Sequence, residues 1–356
     1  MKFIKVIAAS ALAALLLATA ATAAEPVKIR VGGLQSLHGL PTWENMRNGS
    51  LAKENLDVSF KAFTSGSALM ESFAAGQWDV GSIGTIPAML AGLRYKAVII
   101  AITSNDSKTN DIWVRPDSPL LKNKGANPKF PEIYGTADDW RGKKILCATM
   151  TNGHYVLSST LKALGLADKD VNIVQVEQGQ AMTAFSVGEG DIIQLFAPNN
   201  YIGEERGWKR VSSGYDAGVV VPSVVFASKD FAEKHPEALA AWLDLYLRVY
   251  DLMRTDKAKA LDLANDFFVN YCGMPLNKEF QAKDFQRKIF YTAEENYQAL
   301  SDPAQMQAWM QGVAKFMVDG KRISQKEYDR YIENKCFVEP KFLKMVLDRR
   351  AKEASK

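Results

Sequence analysis

Short apolar, β-favouring runs alternate with amphipathic segments through the first two thirds of the chain, which is the pattern of parallel βα units. Residues 27–31 open it as a strand and 56–63 follow as a second. Ser65-Gly66-Ser67 then supplies a cap and turn ahead of an amphipathic helix over 68–75. Residues 79–83 read as the next strand, and Gly84-Thr85-Ile86-Pro87 opens a helix over 88–93 with proline in its first turn. The continuous apolar run 97–102 is what a strand buried on both faces requires.

Near residues 113–116 a stretch rich in Pro, Asn, Lys and Gly interrupts the pattern, and a crossing between lobes is expected there. A second βα series begins at 143–148, with Thr151-Asn152-Gly153 as the loop before a helix over 154–164. Strands at 171–176 and 191–196, with a helix near 181–187, continue it. The Val-rich run 219–227 predicts a return crossing, and helical periodicity dominates from Phe231 to the end. The expected order is lobe one over 25–115, lobe two over 116–221, and lobe one again over 222–356. Trp242, Tyr246, Tyr250 and Met253 recur at helical intervals and are assigned to packing.

The N-terminus is of another kind. Lys2 and Lys5 precede an apolar run over 6–20 and the small residues Ala21-Thr22-Ala23-Ala24, which is the layout of a secretory signal peptide. That run falls short of the roughly 20 residues that a membrane-crossing helix needs. Residues 1–24 are therefore expected to be removed, leaving a mature chain that starts at Ala24 or Glu25 and works in the periplasm. No cysteine follows the apolar run, so no lipid anchor is expected.

A mature chain of about 330 residues exceeds what one hydrophobic core serves, in keeping with two lobes. Loss of Lys2 and Lys5 takes the formal charge from +4 to +2, with both signs scattered and no basic block, which argues against a nucleic-acid surface. Of the three cysteines, Cys147 sits in an apolar strand segment, and Cys272 and Cys336 remain as a candidate disulfide pair whose meeting the sequence leaves open. Their spacing fits no zinc motif, and no metal or cofactor is expected. No Gly-x-Ser-x-Gly elbow, His-Glu-x-x-His or phosphate-cradling Gly-rich loop is present, so no enzyme is expected.

The run from Ser65 to Ala88 resembles the signature of ABC-importer binding proteins of the nitrate/sulfonate/taurine family: a small-residue turn, a helix, Gly76-x-x-Asp79-x-Gly81, and Gly84-x-x-Pro87. Asp138-Asp139-Trp140-Arg141-Gly142-Lys143 is similar to that family's entry into lobe two, and Gly188-Glu189-Gly190-Asp191 to its second Gly-x-x-Asp element. The resemblance implies an α/β fold of the type II periplasmic-binding-protein kind, with two lobes of mostly parallel sheet flanked by helices. It also implies a ligand in the cleft between lobes, and a membrane permease and its ATPase as partners. A monomer is expected.

Helix N-termini favour negative ligand groups, because their first N–H groups lack partners and the dipole adds positive potential. Ser65, Gly66 and Ser67, then Gly84 and Thr85, then Asn152, Gly153 and His154 stand where such groups point, although each also serves as a cap or turn for its own helix. His38 and Gly39 lie in the loop leaving the first strand, at the edge where open α/β folds bind ligands, and Trp43 follows them. Where many family members carry an aromatic–acid–Pro–Tyr element, this chain has Ala197-Pro198-Asn199-Asn200-Tyr201. The neutral Asn199 and Asn200 weaken the case for taurine itself, yet an amide still donates and accepts. A small sulfonate- or carboxylate-like molecule is the expected ligand. A pyrimidine-like or other neutral or zwitterionic metabolite, a sensory receptor, and an enzyme on the same fold are the alternatives.

Overall fold

The computed structural model describes residues 24–274 and 276–355. The predicted leader lies outside the described residues apart from Ala24. The strands, in chain order, are β1 (Val27–Leu34), β2 (Leu56–Phe63), β3 (Val80–Gly84), β4 (Ala97–Asn105), β5 (Asn110–Val114), β6 (Lys144–Cys147), β7 (Asn172–Gln175), β8 (Ile192–Phe196), β9 (Lys209–Ser213), β10 (Pro222–Ser228) and β11 (Ile289–Phe290). They form two sheets. One has the order β11-β4-β10-β3-β1-β2 and the other β7-β6-β8-β5-β9.

Each sheet is parallel at heart and carries antiparallel exceptions. In the first, β1 runs parallel to β2 and β3, while β10 is antiparallel to both β3 and β4 and β11 is antiparallel to β4. In the second, β6 is parallel to β7 and β8, while β5 is antiparallel to β8 and β9. The exceptions follow from connectivity. The strand that first enters the second sheet (β5) and the strand that returns to the first (β10) arrive from the other lobe, so they lack the helical crossover that enforces parallel pairing.

Alternation along the strands of the second sheet explains its two-sided burial. Ile112, Val114, Ile145, Cys147 and Ile192 join one apolar cluster, and their neighbours Trp113, Leu146, Ile193 and Leu195 join another on the opposite face. A larger cluster surrounds the first sheet, extends through the helices after Phe231 and takes in Tyr155, Val156, Ala197 and Tyr201 from the second lobe.

The chain passes between sheets twice, over residues 106–109 and 214–221. The two crossings lie side by side: Asp106 N–H donates to Val221 O (2.8 Å), Tyr215 N–H to Ser107 O (2.9 Å) and Gly214 N–H to Asn110 O (3.2 Å). Residues 113–116, expected as the crossing, instead begin inside β5, because Trp113 pairs with Ile193 of β8. The apolar face of this five-residue strand is too short to stand out beside the Pro- and Lys-rich stretch that follows it. Two further short strands, β9 and β11, also escape the sequence pattern.

The candidate pairing of Cys272 with Cys336, which the sequence leaves open, is not made; all three cysteines are free. The cause is position. Tyr271, beside Cys272, stacks on Phe60 of β2, whereas Cys336 is followed by Val338, which bridges to Ile99 of β4. Four inter-strand spacings separate β2 from β4, roughly 19 Å, against the 7 Å limit between Cα atoms that a disulfide tolerates. Titration with an aromatic disulfide reagent should therefore find three thiols in denaturant without reductant, and reductant should leave the melting temperature unchanged. One thiol in place of three would contradict this fold.

Candidate functional site

A cavity of about 50 Å³ lies where the two crossings meet, between the ends of both sheets. Leu34, Ser36 and His38 reach it from the end of β1, and Thr109, Asn110 and Asp106 from the first crossing. Three helix N-termini face it, at Gly66, at Gly84 and at Asn152 with Gly153. These helices run Gly66–Ala74, Thr85–Tyr95 and Asn152–Ala163, the first two from lobe one and the third from lobe two.

Each helix starts at the cleft for a local reason. Ser65 is extended and its Oγ accepts from Ala68 N–H (3.2 Å); Thr151 is likewise extended and its Oγ accepts from His154 N–H. Gly84 precedes the third start with Pro87 in the first turn. In all three, the earliest N–H groups have no carbonyl within their own helix to pair with. Such groups from two lobes converging on one cavity make a site for the oxygens of an anion.

Asn152 ties the lobes together at this point. Its Oδ1 accepts from Ile86 N–H (3.2 Å), in the first turn of the Thr85–Tyr95 helix, and its Nδ2 donates to Pro222 O (2.8 Å). The amide packs so tightly on Gly84 that a Cβ there would lie 2.8 Å from its Cγ. Beyond the cavity, Arg322 of lobe one reaches Asp168 of lobe two (3.1 Å), and Lys283 reaches Glu204 (2.9 Å).

Behind the cavity is a buried ionic cluster. Lys288 Nζ donates to Asp106 Oδ1 (2.8 Å), with side-chain exposures of 2% and 7%. Ser104 Oγ donates to the same oxygen (2.6 Å) and Ser223 Oγ to the other (2.8 Å). Burial alone would raise the Asp106 pKa, but Lys288 and His38 outweigh it and hold the carboxyl down at about 2. His38 shows the opposite balance: burial lowers its pKa, the attraction of Asp106 only partly restores it, and Lys288 lowers it further, to about 4. Its ring is therefore neutral near pH 7. Nearby, Asp111 is fully buried against Arg287 (2.8 Å) and Asn200 (2.7 Å), and burial lifts Asp284 to about 6.

Of the residues singled out from sequence, His38, Gly66, Gly84, Asn152 and Gly153 line the cavity. The rest lie off it. Ser65 caps its helix, and Ser67, half-buried two positions further in, is not the cap. Thr85 is turned away to donate to Pro222 O (2.5 Å). Gly39 is small because a Cβ would strike Leu34 O, and Trp43 packs on Phe267 and Tyr271. His154 points to Asp168 (3.1 Å) and Arg322 (3.2 Å) instead. Asn199 meets Gln178, Asn200 meets Asp111, and Tyr201 is buried against Asp284 (3.3 Å). Sequence reasoning missed Ser36, Asp106, Thr109, Asn110, Ser223 and Lys288. A signal existed for the second of these, since Asn105-Asp106-Ser107 is a polar run at the end of an apolar strand, where α/β folds place their sites. Among the described residues, no group of three or more His, Cys, Asp and Glu side chains is arranged to hold a metal.

Because the folded-state pKa of His38 lies below its ordinary 6.5, the unfolded chain takes up a proton that the folded state refuses as pH falls from 6.5 towards 4. Stability is thus full above pH 6.5 and declines through that window, by up to about 3 kcal/mol. The raised Asp284 acts in reverse, adding stability as pH falls from about 6 towards 3.8. His38→Gln keeps a neutral polar group and removes only the first effect. The difference between wild-type and variant stability in denaturant melts should shrink as pH drops from 6.5 to 4, and a pH-independent difference would place the ring in solvent.

Known proteins share this architecture. The family model described as the NMT1-like family matches residues 22–265. The chain is 26% identical over 268 residues to a putative ABC transporter periplasmic binding protein of Brachyspira hyodysenteriae, covering 75% of this chain and 77% of that one. It is 25% identical over 331 residues to a putative aliphatic sulfonates-binding protein of Bacillus subtilis, covering 90% and 88%. Among solved structures, the alkanesulfonate-binding protein SsuA from Xanthomonas axonopodis pv. citri, bound to MOPS, superposes with a TM-score of 0.68 at 17% identity, over 85% of this chain and 96% of that one. The nitrate-binding protein NrtA from Synechocystis PCC 6803 superposes at 0.67 with 13% identity, over 91% and 89%. The fold is thus that of the two-lobed periplasmic binding proteins, and the chain belongs to the NMT1-like family.

Proposed function

We propose that this protein is the extracytoplasmic solute-binding component of an ABC importer, which captures a small anionic organic molecule between its lobes and delivers it to a membrane permease driven by an ATPase. The convergence of helix N-termini from both lobes on one cavity carries this reading. Neither lobe alone supplies the full set of N–H donors, so tight binding and closure are coupled. The relatives named as binding proteins support the same reading, and their sulfonate and nitrate ligands have the charge that such a cavity favours. An export leader accords with a site of action in the periplasm. The chain works as a monomer on this reading, and chemistry on the ligand forms no part of it.

The two crossings, at 106–109 and 214–221, are the hinge on which the lobes rotate as nearly rigid bodies. Gly84→Ala tests the coupling. Its Cβ would meet the Asn152 amide at 2.8–2.9 Å, which drives the lobes apart while leaving each lobe's own core intact. Affinity for a bound sulfonate, measured by calorimetry, should fall about tenfold or more, whereas the ligand-free melting temperature should change little. Small-angle scattering should show the wild type compacting on ligand addition and the variant failing to do so. Equal affinity in both proteins would remove closure from the mechanism.

A further inference from the structure

Two residues that line the cavity each carry a buried acceptor without a donor. The first is His38. Ser104 Oγ–H is committed to Asp106 Oδ1 at 2.6 Å, and Asp106 is kept ionised by Lys288, so it has no proton to give back. The 3.1 Å contact between Ser104 Oγ and His38 Nε2 therefore needs its hydrogen from Nε2. In a neutral imidazole this leaves Nδ1 as a bare lone pair, and that atom is buried with no partner.

The second is Asn110. Its Nδ2 lies 3.2 Å from the backbone carbonyl of Asp106, which can only accept, so the orientation of the amide is fixed and Oδ1 points elsewhere. Oδ1 is also buried and unpartnered. Asp106 cannot serve as an alternative acceptor, because Ser104, Lys288 and Ser223 already occupy its oxygens, with His38 Nε2 at 3.5 Å.

We infer that the molecule captured here carries at least one N–H or O–H donor besides its anionic group, which makes it an amino- or hydroxy-substituted sulfonate or carboxylate rather than a bare oxyanion or an unsubstituted alkyl one. The inference rests on the binding-protein reading above and narrows its ligand class. The anionic end meets N–H groups, while the donor end meets His38 Nδ1 and Asn110 Oδ1. A donor-free anion would leave both buried acceptors unpaired, and its charge would face two lone pairs.

Matched ligands test this. Ethanesulfonate is compared by calorimetry with taurine and isethionate, and propionate with β-alanine and 3-hydroxypropionate, with nitrate alongside. In at least one series the donor-bearing members should bind about tenfold or more tighter than the donor-free one. That ratio should collapse in Asn110→Leu and in His38→Phe. Nitrogen-15 spectra of histidine-labelled protein, with His38 assigned through His38→Gln, supply a readout that needs no ligand and no core substitution in the measured protein. At pH 7 the ring should carry its proton on Nε2 alone. Donor-free members binding as tightly as donor-bearing ones, or a proton on Nδ1, would overturn the inference and leave the binding-protein reading standing. Failure of every compound to bind would count against that reading and take the inference with it.

Discussion

The ion pair between Asp106 and Lys288 is the constraint on which the rest of the site depends. Both charges are almost wholly withdrawn from water. Such a pair offsets its desolvation only if geometry is good and the remaining hydrogen-bond capacity is used, and here Ser104, Ser223 and Thr109 use it. The partners come from distant parts of the chain. Asp106 begins the first crossing, Ser223 is the second residue of the strand after the second crossing, and Lys288 stands at the end of the helix Lys278–Arg287, where β11 pairs with β4. One cluster thus fixes both hinge segments and the C-terminal helical region against each other. The position of His38, and with it the cavity wall, follows from that cluster through Ser104.

Apolar packing holds each lobe, and polar and aromatic contacts together join the two. The two faces of the second sheet have their own apolar clusters, and the first sheet has another, so each lobe holds its shape largely by burial. Contacts across the cleft are of both kinds: Asn152 to Ile86 and Pro222, Arg322 to Asp168 and Lys283 to Glu204 are polar, while Tyr155 packs on Phe316 and Tyr201 stacks on Phe280. Polar contacts of this kind exchange for water at little net cost, whereas opening an apolar interface would expose area at about 25 cal/mol per Å². On the proposed reading, opening costs the area of these aromatic contacts, while each lobe keeps its own core.

The fold was legible from sequence wherever an apolar run and its capping loop coincide. Leu56–Phe63 was read with its observed bounds, and the strand–cap–helix units at Ser65 and Thr151 fall where expected. What escaped has physical causes. β5 is five residues whose first two, Asn110 and Asp111, are polar and buried in hinge hydrogen bonds, so the strand lacks the alternation that marks one. Lys288 reads as a surface lysine at a helix end, since lysine is rarely buried, and only its tertiary partner explains it. The aromatic and amide residues at 199–201 were legible as a family element but not as to direction. The side chains of Asn200 and Tyr201 turn towards Asp111 and Asp284 because those buried carboxylates need donors, while Asn199 meets Gln178. The glycines proved the most informative positions: Gly84 and Gly153 both mark places where a side chain of the other strand or loop presses directly on backbone.

The charge balance of the cavity bears on how such a site releases what it holds. Asp106 and Lys288 cancel each other, so attraction for an anion rests chiefly on backbone N–H groups and helix dipoles rather than on an unpaired cation. These donors are fixed by the helices that bear them and are shared between two lobes. Asn152 illustrates the arrangement within the protein itself, since its Oδ1 lies at the N-terminus of the Thr85–Tyr95 helix, where an anion's oxygen would sit, and reaches there from the opposite lobe. On the proposed reading, closure assembles the donor set and opening divides it. A lone lysine would keep its full charge in either state and hold the anion after the lobes part. Dipoles split across the hinge, two N-termini in one lobe and one in the other, part from the ligand in one rotation, which is the behaviour a carrier needs when it must bind firmly in solution and let go at a membrane.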